Sequence, residues 1–224
     1  MHIPLSSRLL ACCNFIKPGD RVADVGCDHG YLGIWLLTQG IARSVIAADV
    51  RQGPLESAKR NASKFGTASK MSFHLSDGVQ SIPRDFDVLV CAGMGGDTMV
   101  SILEAAPWLQ NSAYRLILQC QSKTPLLRSY LSDKGWCIHK ETVLRDGKFR
   151  YTIMEILWDP TQPRLTHAQT YLSPALLTDS SPDLPDYCQW VIQGLEITVR
   201  HQNDPDKAQL LAELKAIAPK EDAQ

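Results

Sequence analysis

The amino-acid sequence predicts an α/β protein with an open, mainly parallel sheet, helices on both of its faces, and a small helical unit at the carboxyl end. Three observations carry this prediction. Short apolar runs stopped by glycine or aspartate alternate with helix-patterned segments from residue 5 to residue 135. Two β-rich runs then flank Asp146-Gly147, the dipeptide that most strongly signals a tight hairpin. Beyond Pro160 the pattern changes to proline-punctuated sequence followed by two helical stretches.

Each element follows in order. Residues 5–16 read as a helix ending before Pro18-Gly19. Residues 21–26 are an apolar strand closed by glycine, 31–40 a helix closed by Gly40, and 44–50 a second strand. Residues 54–66 form a helix with proline at an early position. Strands at 71–77 and 86–93 follow, then a helix over 97–109 that breaks near Pro107. A strand at 114–120 and a helix at 123–135 complete the alternating region. The predicted order is one helix, five strand–helix alternations and a terminal antiparallel hairpin over 136–158. That hairpin is the addition expected of class I methyltransferases over a plain nucleotide-binding sheet. Two helices, 187–202 and 205–218, separated at Asn203-Asp204, close the chain; Leu210, Leu211, Leu214 and Ile217 make one apolar stripe. The expected division is a domain over residues 1–160 and a helical domain over 161–224.

Composition narrows the function classes. With 44% hydrophobic and 21% charged residues, the 224-residue chain carries enough apolar material for a substantial core and is not a disordered one. No apolar run reaches the roughly 18 residues that span a bilayer, and no signal peptide is read, so a cytoplasmic protein is expected. Seven cysteines show neither C-x-x-C nor zinc spacing, which predicts reduced, buried thiols and no metal site. The net charge of −1 hides an asymmetry. Residues 1–162 sum to +3 and residues 163–224 to −4, a balance that permits a nucleic-acid partner for the body without requiring one.

Open α/β sheets bind ligands at the carboxyl ends of their strands, and this chain concentrates unusual residues there. Asp24-Val25-Gly26-Cys27-Asp28-His29-Gly30 follows the first strand. It is not the dinucleotide G-x-G-x-x-G, because Asp28 stands where the second glycine would be. It matches the acidic-x-G-x-x-x-G core of an S-adenosylmethionine (SAM) loop. A buried Asp24 needs loop amides or a ligand ammonium as partner. Asp49 and Val50 end the second strand, where a carboxylate accepts the two hydroxyls of an adenosine ribose. Asp77-Gly78 follows the third strand, a position suited to an adenine amino group and equally to an ordinary turn. Ala92-Gly93-Met94-Gly95 follows the fourth and makes a side-chain-poor wall with free amides, against which a planar base can lie. These features leave several readings open: a SAM-dependent methyltransferase of RNA, of a small molecule or of a protein; an NAD-dependent dehydrogenase; or a non-catalytic RNA-binding module on the same fold.

The combination of ADVGCDHGYL (23–32), GPLESAKR (53–60), SDG (76–78), AGMGG (92–96) and RLILQ (115–119), with Ser7-Arg8-Leu9 ahead of it, resembles the TrmK family of tRNA (adenine-22-N1)-methyltransferases over roughly residues 5–158. Ser76 stands where that family usually has glycine, and Gln119-Cys120-Gln121 replaces a Q-P-N-like stretch. The resemblance implies a Rossmann-like class I SAM-dependent fold with a small helical domain. It also implies SAM as cofactor, tRNA as partner, no membrane or metal, and a chain acting as a monomer. The cofactor residues it implies are Asp24, Gly26, Cys27, Asp28, His29, Gly30, Asp49, Val50, Asp77, Gly78, Ala92, Gly93, Met94 and Gly95.

Adenine N1 carries an in-plane lone pair, so no proton need be removed before attack. Alignment and stabilisation of positive charge on the base are the main demands. Asp28 is the expected acceptor for the exocyclic amine, and Tyr31 the expected stacking partner of an extruded adenine. Arg8, Lys59, Arg60, Arg145 and Lys148 are the expected phosphate contacts, with Lys64 and Arg150 as further candidates.

Overall fold

The computed structural model describes residues 2–201 and 204–219. Among these, strands β1 (Arg21–Val25), β2 (Ser44–Asp49), β3 (Met71–Leu75), β4 (Val88–Gly95), β5 (Arg115–Ser122), β6 (Trp136–Asp146) and β7 (Phe149–Trp158) form one sheet in the order β3-β2-β1-β4-β5-β7-β6. Neighbours are parallel from β3 through β5; β7 alone runs antiparallel to both β5 and β6. The reversal in strand order between β1 and β4 opens the crevice in which such sheets bind ligands.

Helices α1 (Ser7–Cys13), α2 (Tyr31–Thr38) and α3 (Gln52–Lys64) cover one face; α4 (Gly96–Glu104) and α5 (Thr124–Asp133) cover the other. Helix α2 is apolar nearly all round, and Leu32, Ile34, Leu36 and Leu37 are all buried, as expected of a helix enclosed by α1, α3 and the sheet. The central strands read as continuous apolar runs because both faces are covered; Val88 to Val90 and Leu116 to Leu118 are fully buried. The cysteines are free thiols, and all but Cys137 are buried. Burial pushes Cys12 and Cys91 up to about 12, so they pack as neutral apolar groups.

The expected elements recur with four differences. No α-helix links β3 to β4; residues 76–87 cross over in turns, so there are four strand–helix alternations and not five. Strand β4 continues two residues past the expected end at Gly93, through Met94 to Gly95. A break in its register against β5 between Ala92 and Met94 absorbs the extra residue. Strand β5 likewise runs two residues further, to Ser122. Two short helices, α6 (His167–Tyr171) and α7 (Pro174–Leu177), precede the expected pair. Thr166 and Ser173 cap their amino ends by accepting N–H bonds from Gln169 and Leu176. The last two helices are α8 (Leu184–His201) and α9 (Pro205–Ile217); the expected break at Asn203 lies outside the described residues. Leu210 and Leu214 are buried and Leu211 and Ile217 pack beside them, as the stripe required.

The helical tail has its own apolar cluster, which takes in Val143 of β6. One buried ion pair ties it to the sheet. Arg128 of α5 and Glu141 of β6 have fully buried side chains and meet at 2.6 Å. Arg128 also donates to the carbonyls of Thr170 and Tyr171, and Ser173 donates to Glu141. Burial disfavours the Arg128 charge, but the Glu141 carboxylate outweighs it and holds the guanidinium above its usual range. Arg128→Met, which leaves Glu141 charged and unpartnered, is expected to cost about 3–5 kcal/mol in urea unfolding. The double variant with Glu141→Leu should recover much of that loss; equal losses in both would show that the pair is not what holds the tail.

Candidate active site

The carboxyl edge of β1, β2 and β4 brings most of the expected residues together. Asp24 and Asp49 end neighbouring parallel strands and are 4% and 5% exposed. Their circumstances differ. Asp49 accepts N–H bonds from Arg51 at 2.9 Å and from Asp28 at 3.1 Å, so each of its oxygens has a backbone donor. Asp24 Oδ2 is buried with no hydrogen-bond partner. Burial, reinforced by the neighbouring Asp49 charge, pushes the Asp24 carboxyl up to about 7. A buried carboxylate oxygen left unmatched in a cleft is a vacancy for a cationic or hydroxylic donor.

The loop after β1 is shaped by close approach. Gly26 has φ +74°, and a Cβ there would lie 2.4 Å from Met94 Cε, so the fourth strand's methionine packs directly on the first loop's backbone. Asp28 adopts φ +49°, a left-handed conformation that aspartate tolerates better than most residues. Its N–H bond to Asp49 holds it there, and its carboxylate is 60% exposed, 3.7 Å from His29 Nε2. Asn61 of α3 donates to the His29 carbonyl, tying the loop to a second helix. Tyr31 begins α2, half-buried, with its ring 5.9 Å from that of His29. Arg8, Asp24, Gly26, Asp28, Tyr31 and Ala92 all line one small cleft, with Cys27 and His29 in its wall.

Val50 is exposed beside Asp49. At the end of β3, Asp77 is exposed and Gly78 buried against Ile102. Ser76, the residue that departs from the family pattern, holds this turn: it donates to the Gly78 carbonyl and accepts from Ser81 N–H.

Gln119 is a site residue that residue-by-residue reading passed over. It is fully buried on β5, and its Oε1 accepts both Gly93 N–H and Arg8 Nη1 at 2.9 Å. Gly93 has φ +80°, and a Cβ there would lie 3.0 Å from Arg8 Nη1. The Gly93 amide is therefore engaged, contrary to the expected free-amide wall, and the amino-terminal helix is fastened over the shelf. A glutamine inside an apolar strand was the available signal, because a buried amide must find partners.

The expected phosphate contacts are dispersed. Arg8 reaches the cleft. Lys59 pairs with Glu56, and Arg60 donates to Ser57 along α3; Lys64 lies by Phe65. On the hairpin, Arg145 and Arg150 share Asp186, and Lys148 lies over the Phe149 ring. Ser7 donates to Asp146, so the hairpin tip abuts the helix that carries Arg8.

This geometry agrees with comparisons to known proteins. Residues 5–154 match the family described as "Methyltransferase domain". The chain belongs to the TrmK-type methyltransferase family. The tRNA (adenine(22)-N(1))-methyltransferase of Bacillus subtilis is 34% identical over 149 residues, covering 66% of this chain and 63% of that relative. The chain thus spans less than two thirds of that protein's length. A structure of the B. subtilis M1A22 tRNA methyltransferase TrmK superposes with a TM-score of 0.79 at 25% identity, covering 96% of both chains. A putative tRNA (m1A22) methyltransferase of Streptococcus pneumoniae, solved in complex with S-adenosyl-L-methionine, gives 0.83 at 30% identity over 94% of this chain and 99% of that one.

The buried Asp24 has a signature in stability. Its folded-state pKa of about 7 lies above the ordinary value of 3.8. The native state therefore keeps a proton that the unfolded chain releases as pH rises through that interval, so stability falls between about pH 4 and pH 7. Thermal melts at pH 4 and pH 8 should show Asp24→Asn gaining much more on the parent at pH 8 than at pH 4. A difference independent of pH would refute the assignment.

Proposed function

We propose that this chain transfers the methyl group of SAM to N1 of an adenine in tRNA, at a site of the position-22 type, and that it does so in the cytoplasm. The observation that carries the proposal is the unpartnered, buried Asp24 Oδ2 sharing one cleft with the exposed carboxylate of Asp28. The relatives' printed activities support the same reading.

The residues present fit the donor. Asp24 matches its ammonium, the one partner that would satisfy the buried oxygen and draw its pKa down. Asp49 spends one lone pair per oxygen on loop amides and keeps others for ribose hydroxyls. Asp77, exposed at the end of β3, is available to the adenine amino group. When bound, SAM supplies a sulfonium-activated methyl group that a lone pair displaces directly. What the protein adds is position and charge. Gly26 and Gly93 add no side chain of their own to this surface; the Met94 side chain and the Arg8 guanidinium lie over them and form the walls that a flat base would meet. Tyr31, at the head of α2, stacks on that base. Asp28, held by its backbone bond, accepts the exocyclic N6–H, stabilises positive charge growing on the ring, and takes the proton afterwards. Arg8, anchored through Gln119, meets the phosphate. Lys59, Arg60, Arg145 and Lys148 serve as outer contacts, each free to trade a weak surface pair for RNA. The helical unit over 161–224 is a separate domain in this reading.

The direct test is incubation with labelled SAM and unmodified tRNA, followed by mapping of the methylated nucleoside; label found anywhere but adenine N1 would overturn the proposal. Asp28→Ala should lose roughly 100- to 10,000-fold in turnover while calorimetry still detects SAM. Near-parental turnover would remove Asp28 from the chemistry. The affinity for tRNA should drop steeply with added salt, with the logarithmic slope reduced by about one in Arg8→Gln.

A further inference from the structure

A second concavity, distinct from the SAM cleft, lies where the end of β5 faces α8. It measures about 380 Å³, within the range of pockets that hold small organic ligands. Its character departs from its surroundings. The tail beyond residue 162 is net negative, yet the residues lining this hollow include Lys123, Arg150 and Lys207 and no carboxylate. Its walls otherwise mix aromatic and apolar side chains with uncharged polar ones, among them Gln121, Ser122 and Thr152. Trp190, half exposed at 50%, presents its indole there. The ring is backed by Tyr187 at 5.8 Å between centroids and flanked by the Arg150 guanidinium at 5.8 Å. On the sheet side stands Thr152, 2% exposed, whose buried hydroxyl has no hydrogen-bond partner. A half-exposed indole, converging cations and an unmatched polar atom in one hollow describe a receptor for something flat, polar-edged and anionic.

Its position narrows the choice. Met94 and Gly95 of the glycine shelf pair with Cys120 and Ser122 of β5 across a shift in register, and Cys120 and Ser122 line this hollow. The two sites are thus one strand apart on the same edge of the sheet. A nucleic-acid strand presenting one base to the shelf would bring a neighbouring nucleotide here.

We propose that this groove binds a nucleotide flanking the target adenine of the RNA substrate, with its base stacked on Trp190, its polar edge meeting the Thr152 hydroxyl, and its phosphate drawn to Lys123 and Arg150. Lys123 pairs with Asp97 and Arg150 with Asp186 in the free protein. Both acids lie outside the groove; the exposed Lys123–Asp97 pair contributes little and exchanges readily for a phosphate, whereas Asp186 holds Arg150 through two partly buried bonds that fix its guanidinium beside the Trp190 ring. The assignment rests on the proposed tRNA activity and extends it. It makes the helical tail part of the substrate site, because Trp190 belongs to α8.

The test uses the full chain with SAM and unmodified tRNA. Steady-state methyl transfer is measured for the parent, Trp190→Ala, Trp190→Phe and Thr152→Val, with SAM affinity followed by calorimetry and folding by thermal melts. Base–aromatic stacking of the usual strength predicts a rise in KM for tRNA of about tenfold or more in Trp190→Ala, with kcat held within about twofold. Trp190→Phe should recover most of that loss. Thr152→Val should raise KM several-fold, and the SAM dissociation constant should stay unchanged in all three. Ultraviolet crosslinking of tRNA to the parent should recover a peptide containing Trp190. Parental KM in both Trp190→Ala and Thr152→Val would overturn the groove assignment, as would a matching loss of SAM affinity, which would mark Trp190 as structural. If the parent itself methylates no tRNA, the proposed function has failed; if the parent is active and the variants match it, only the groove has failed.

Discussion

Two carboxylates buried side by side at the ends of neighbouring parallel strands set the terms for the rest of this molecule. Parallel pairing brings Asp24 and Asp49 to the same edge of the sheet, and covering helices remove them from water. Burying charge without partners is costly. Asp49 meets the cost internally, by fixing the backbone of Asp28 and Arg51. That bond in turn holds Asp28 in its left-handed conformation and projects its carboxylate outward. Asp24 has no such relief, and its Oδ2 stays buried without a hydrogen-bond partner at the edge of the cleft.

Around that pair the chain uses close backbone approach where another protein would use side chains. Gly26 lets Met94 rest on the first loop, and Gly93 lets Arg8 come over the fourth strand. One buried glutamine joins these halves: Gln119 accepts from the shelf and from the amino-terminal helix at once. The cleft is therefore built from α1, the β1 loop and two strands, so ordering any one of them constrains the others. The tail is joined differently, through the Arg128–Glu141 pair and its bonds to Thr170, Tyr171 and Ser173. A buried, multiply bonded charge pair sets orientation more sharply than apolar contact alone, because every donor and acceptor must be met. That orientation puts Trp190 opposite the end of β5.

Much of this was legible in the residues. The alternation of apolar runs with helical segments named the strands, and Asp146-Gly147 named the hairpin, because period and turn chemistry are local properties. Asp24, Gly26, Asp28 and Asp49 were legible because sheets of this type place ligands at strand ends. What escaped was tertiary. Met94 and Gly95 read as lying beyond the strand that ends at Gly93, yet a strand partner, β5, keeps them in the sheet with shifts in register. Gln119 looked like one polar residue in an apolar strand; only packing reveals what it joins. Arg8 stood out from the other cations by its place on the amino-terminal helix, and the structure separates it further by giving Lys59, Arg60, Arg145 and Lys148 partners of their own in Glu56, Ser57, Asp186 and the Phe149 ring.

By itself, then, the order of residues determined the class of fold, the edge of the sheet that carries chemistry and the carboxylates that line it. Hydrophobic period, glycine placement and strand-end position are all written within short stretches of chain. Only the tertiary structure decided which of those carboxylates is left without a partner, how Gln119 fastens Arg8 over the cleft and which groove the tail completes. Those outcomes depend on residues tens of positions apart competing for the same few buried hydrogen bonds, and no local pattern records who wins.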